Sequence, residues 1–101
     1  MRISISLGGS LSSLSLEEQV TYVREAEALG VHSVWTVEGW GKDAVTPLAY
    51  LAARTDKIRL GTAIMQISAR APAMTAMTAL TLAALSTNRF ILGLGVSGPQ
   101  V

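Results

Sequence analysis

The amino-acid sequence predicts an α/β chain with the element order β-α-β-α-β-α-β, half of a (β/α)8 TIM barrel. The observations behind this are two periodicities and one spacing. Short segments of alternating apolar and polar residues are separated by longer segments with helical period. Equivalent strand positions Ile5, Thr36, Ala63 and Leu94 recur every 27–31 residues, near the repeat of a barrel of ~250 residues. Strands joined through helices form a parallel sheet with right-handed crossovers. A doubly wound sheet has the same element order and remains the rival, because this pattern does not encode strand order.

Each element has its own signal. Ile3, Ile5 and Leu7 alternate with Ser4 and Ser6, and Gly8-Gly9-Ser10 ends that strand. Ser15-Leu16-Glu17-Glu18 reads as a capping box that opens a helix with Leu16, Val20, Val23 and Ala26 on one face. Gly30 suits the residue just past its end. Val31 to Val37 is a second strand. Asp43 can cap the next helix, which turns Leu48, Leu51 and Ala52 inward. Lys57 to Ile64 is a third strand. Pro72 suits a first helical turn, and that helix runs to about Leu85. Arg89 to Leu94 is the fourth strand, followed by the glycine-rich run Gly95-Val96-Ser97-Gly98.

Half of the residues are hydrophobic and 15% are charged, against about 25% in soluble globular chains. Such a surface calls for a covering: the rest of a barrel, or a second subunit. A net charge of +1 without a basic stripe argues against nucleic acid. There is no cysteine, and His32 is the lone histidine, so no thiolate or multi-histidine metal site is expected. Ala71 to Asn88 carries no charge, but its proline, threonines and alanines suit a packed helix better than a membrane span. The opening Met-Arg-Ile-Ser-Ile-Ser is already strand-like, and the expected location is the cytoplasm.

Several segments together resemble the luciferase-like monooxygenase family. They are Arg24-Glu25-Ala26-Glu27-Ala28-Leu29-Gly30, Val34-Trp35-Thr36-Val37-Glu38, Ala52-Ala53-Arg54-Thr55, Ile58-Arg59-Leu60-Gly61-Thr62-Ala63-Ile64, Arg70-Ala71-Pro72-Ala73 and Asn88-Arg89-Phe90-Ile91-Leu92-Gly93-Leu94-Gly95. The likeness is nearest the branch that uses coenzyme F420, a deazaflavin, with FMN as the alternative. It covers essentially the whole chain. It implies residues 1–101 as the N-terminal part of one TIM-barrel domain, with the cofactor across the carboxyl ends of the strands. The implied activity of the complete protein is hydride transfer between reduced F420 and an organic substrate.

The resemblance also implies site residues. Glu38, at the end of strand two, would sit beside the ring or the reacting carbon and either hydrogen-bond a ring edge or shuttle a proton. Ala63-Ile64 would carry a non-prolyl cis peptide that backs the ring, with Gln66 donating to ring or ribityl oxygens. Gly95, Val96, Ser97 and Gly98 would meet the ring edge or ribityl chain. Trp40 would wall the substrate pocket. The family often follows the acid with a histidine, whereas Gly39 follows here. Ser68 and Arg70 are weaker candidates for cofactor contact, and Arg70 equally suits a surface ion pair. His32 and Trp35 read as structural, Trp35 between sheet and helices. A small-molecule substrate and a second copy of the chain, docked through helix 72–85, are the expected partners. Two other classes stay open: an incomplete, non-catalytic barrel that works only by association, and a phosphate-binding barrel enzyme without flavin.

Overall fold

The computed structural model describes residues 1–39 and 41–96. In chain order the elements are β1 (Ser4–Ser6), α1 (Leu16–Ala28), β2 (Ser33–Thr36), α2 (Val45–Arg54), β3 (Arg59–Thr62), β4 (Met65–Gln66), α3 (Pro72–Leu85), β5 (Phe90–Ile91) and β6 (Leu94–Gly95). The main sheet is parallel with order β1-β2-β3-β5, and β4 pairs with β6 in parallel beside it. The strands therefore lie side by side in chain order. Val20 and Val23 of α1, Val34 of β2, Leu48 and Leu51 of α2 and Leu60 of β3 share one buried core, with Phe90 of β5 against it. A doubly wound sheet would reverse its order at a switch point and carry helices on both faces. Sequential order with a single helical layer is barrel geometry.

The caps form as the sequence expects. Ser15 Oγ accepts from the Glu18 amide at 3.1 Å, and Glu18 returns the favour to the Ser15 amide at 2.9 Å. Gly30 has φ of +85°, which glycine alone adopts without strain. Asp43 accepts from the Val45 and Thr46 amides at the start of α2. Leu16 differs from expectation: it sits exposed in the first turn, and Gln19 joins the buried set instead.

The fourth expected strand, Arg89 to Leu94, is split into β5 and β6, the third stops at Thr62 with β4 following beyond its expected end, and one hydroxyl bridges the split. Thr62 Oγ1 donates to the Gly93 carbonyl at 2.8 Å and accepts from the Gly93 amide at 2.9 Å. The side chain thus takes the place of a ladder partner between β5 and β6. The Met65 amide also donates to Gly93 O at 2.8 Å, which carries the pairing on to β4 and β6. A Cβ on Gly93 would lie 2.0 Å from the Thr62 carbonyl oxygen. Only glycine lets these backbones approach so closely.

Trp35 also departs from expectation. It alternates with the helix-facing Val34, and a Cβ on its register partner Gly61 would lie 2.4 Å from its ring. The indole therefore lies on the sheet face away from the helices, above Gly61, with Nε1 donating to Ser33 Oγ at 2.9 Å.

The end of the sheet opposite the strand carboxyl termini is tied by two charged side chains. Glu27 accepts from the amides of Asp56, Lys57 and Ile58. Burial opposes its ionisation, but these donations outweigh it and hold the carboxyl below its ordinary range. Arg89 donates to the carbonyls of Ala52, Thr55, Ile58 and Ser86, closing the C-terminus of α2 where helix carbonyls lack partners.

Candidate active site at the strand carboxyl ends

In a parallel barrel, ligands bind at the carboxyl ends of the strands. Here that end gathers the segment after β2, the turn between β3 and β4, and β6. The Ala63–Ile64 peptide bond is cis. Ala63 is exposed and still tied to the sheet, its amide donating to Thr36 O at 2.7 Å. Ile64 is half-buried. A Cβ on Gly95 would stand 2.8 Å from Ile64 Cδ1, so the bare glycine backbone is what seats the isoleucine. The register Met65↔Leu94 and Gln66↔Gly95 brings Gln66 and Gly95 side by side. Val96, 76% exposed, extends the same edge. The result is an apolar shelf made of Ala63, Ile64 and Gly95, with Gln66 beside Gly95 at its edge.

Glu38 is held by donors on both carboxylate oxygens. Its Oε1 accepts from Arg70 Nη1 at 2.8 Å and from the Gln66 amide at 2.9 Å. Its Oε2 accepts from Arg70 Nη2 at 2.6 Å and from the Ala44 amide at 2.9 Å. The Glu38 side chain is 9% exposed and that of Arg70 16%. The Arg70 fork holds the carboxyl down to about 2 against the opposing effect of burial, and the Gln66 and Ala44 amides add to it. Near neutral pH the group is a carboxylate with two donors on each oxygen.

Of the expected site residues, Glu38, Ala63, Ile64, Gln66, Gly95 and Val96 come together on this end of the sheet. Trp40, Ser97 and Gly98 lie outside the described residues. His32 is at the other end of β2, with Nδ1 3.3 Å from Ser33 Oγ. The pairing of Arg70 with Glu38 was not read from the sequence, since nothing in a separation of 32 positions marks it. Thr62 and Gly93 were missed as a pair for the same reason. A groove of about 660 Å³ between the starts of α1 and α2 is lined by Leu16, Lys42, Thr46, Pro47 and Tyr50, and it shares no residue with the shelf. Among the described residues no cluster of potential metal ligands occurs, and no helix is long and apolar enough to cross a membrane.

The shelf suits a flat heteroaromatic ring: an apolar backing with the polar Gln66 at its edge. Its residues fit a flavin or deazaflavin on those grounds.

A Mycobacterium tuberculosis protein, provisionally named a coenzyme F420-dependent oxidoreductase, is 57% identical over 79 residues, covering 78% of this chain and 23% of its own length. The crystal structure of the monooxygenase RslO1 from Streptomyces bottropensis superposes with a TM-score of 0.88 at 30% identity, over 99% of this chain and 35% of that one. The coenzyme F420-dependent tetrahydromethanopterin reductase of Methanopyrus kandleri gives 0.85 at 26% identity, over 98% and 28%. The chain spans about a quarter of the length of the curated relatives it matches. The family model described as luciferase-like monooxygenase matches residues 2–101. This match over the length of the chain, on a fold shared with those structures, places the chain in the luciferase-like monooxygenase family.

Proposed function

We propose that the complete protein is a coenzyme F420-dependent oxidoreductase and that this chain supplies the half of the barrel that backs the cofactor ring. Residues 1–101 are then the N-terminal part of one barrel domain and are inactive alone. The observation that carries the reading is the shelf of Ala63, Ile64 and Gly95, in a chain similar to two curated proteins with F420-dependent names. When bound, the deazaflavin would supply a ring carbon that gives or takes a hydride. The chain's own part is binding and exclusion of water. Ala63 and Ile64 would support the ring face. Gln66 and the backbone amides of Gly95 and Val96 would meet its polar edge, with Ser97 and Gly98 continuing along the ribityl chain and Trp40 walling the substrate side.

Titrating the full-length protein with F420 and with FMN tests this. Saturable binding of F420 alone is expected. Binding of FMN without F420 would move the protein to the second reading, an FMN-dependent monooxygenase, which the likeness to a protein named a monooxygenase favours.

Assembly and location belong to the same proposal. In α3, Leu82 is buried while Met74, Met77, Leu80 and Leu85 are 50–72% exposed. Met and Ala pack adaptably, so this face suits a second copy in a cytoplasmic homo-oligomer. Sedimentation of the full-length protein as a monomer would remove that part.

A further inference from the structure

The geometry points to Glu38 and Arg70 as one positioning unit that sets the ring shelf, with Glu38 neither a proton shuttle nor a ring contact. The inference rests on the cofactor reading above and deepens it.

A proton shuttle needs an oxygen free to face the reacting atoms. Glu38 has none: both oxygens take one guanidinium N–H and one backbone N–H. What these donors have in common is their location. The Ala44 amide lies immediately before α2. The Gln66 amide belongs to β4, two residues beyond the cis peptide. Arg70 lies just before α3, which starts at Pro72. The carboxylate is therefore the point where the segments leaving β2 and β3 meet.

Gln66 is the residue through which the unit acts. Its amide is tied to Glu38, and its register partner is Gly95, whose missing side chain seats Ile64. Loss of the ion pair would free the Gln66 backbone, and the isoleucine that backs the ring would lose its fixed height. The carboxylate and the guanidinium need each other: either one left alone is a mostly buried, unpaired charge.

The test uses full-length Glu38→Gln, Arg70→Gln, the double variant and the conservative Arg70→Lys. F420 affinity is read by deazaflavin fluorescence. Exchange of the Gln66 and Ala44 amides is read by hydrogen–deuterium exchange without cofactor. Each single Gln variant should weaken F420 at least tenfold and speed exchange at Gln66. The double variant should be no weaker than the worse single, and Arg70→Lys should recover part of the loss. Three results overturn the inference: weakening by Glu38→Gln but not by Arg70→Gln, a double loss equal to the product of the singles, or unchanged Gln66 exchange in both singles. Failure of the wild-type protein to bind F420 sinks the cofactor reading instead, and the exchange measurements still decide the role of the pair.

Discussion

Replacing Gly93 with alanine should damage this fold more than any other single methyl added to the described residues. The new Cβ would stand 2.0 Å from the Thr62 carbonyl oxygen and 3.3 Å from its carbon. These are backbone atoms, so no rotamer change relieves the clash. The strands must separate by more than an ångström, and both hydrogen bonds between Thr62 Oγ1 and Gly93 then break. Forced backbone shifts cost about 1–3 kcal/mol, and each hydrogen bond contributes about 1 kcal/mol net. Together these predict a loss of about 3–5 kcal/mol. Thr62→Val isolates the hydroxyl. It keeps the shape, leaves the Gly93 amide without its acceptor, and should cost about 1–3 kcal/mol. The Met65 amide still serves the Gly93 carbonyl in that variant. Denaturant unfolding of the full-length protein measures both. A Gly93→Ala loss below about 1 kcal/mol, or Thr62→Val as damaging as Gly93→Ala, would refute the reasoning.

Glu38 makes stability depend on pH. Its folded pKa, about 2, lies below the ordinary glutamate value of 4.5, so its contribution is complete above pH 4.5 and is lost as pH falls toward 2. The shift corresponds to about 3 kcal/mol. The difference in unfolding free energy between wild type and Glu38→Gln should shrink over that window, and a constant difference would contradict the assignment. Gly61→Ala should push the Trp35 ring off the sheet, break its bond to Ser33, and shift tryptophan emission to the red, at about 1–3 kcal/mol. Unchanged emission would mean the ring does not lie over Gly61. Glu27→Gln should cost about 2 kcal/mol, because three amides lose a charged acceptor. Thermal unfolding provides the check, with Arg24→Gln, on the exposed surface of the same helix, as the neutral control.

Local signals were legible where the physics is local. The Ser15–Glu18 box, Gly30 at positive φ, the Asp43 cap and Pro72 at the first turn of α3 each depend on neighbours within one helical turn. Element order and parallel pairing followed from periodicity, and the family followed from motifs spread along the chain. Leu16 and Trp35 were misplaced because an apolar residue at the edge of a periodic pattern does not state which side it faces. Leu16 lies in the first turn, before α1 reaches the core, and Trp35 had Gly61 beneath it on the other face.

The sequence by itself determined the alternation of strands and helices, their caps, the core residues Val20, Val23 and Ala26 of α1 and Leu48, Leu51 and Ala52 of α2, and the membership of the luciferase-like family. Only the tertiary structure decided that the strands lie in sequential order under one helical layer, that Thr62 bridges a split strand at Gly93, and that Glu38 is bound by Arg70. Each of these is a contact across roughly thirty residues of chain. Such partners are selected by the sheet's register and the depth at which a charge is buried, and neither quantity is written in the spacing of residues along the backbone.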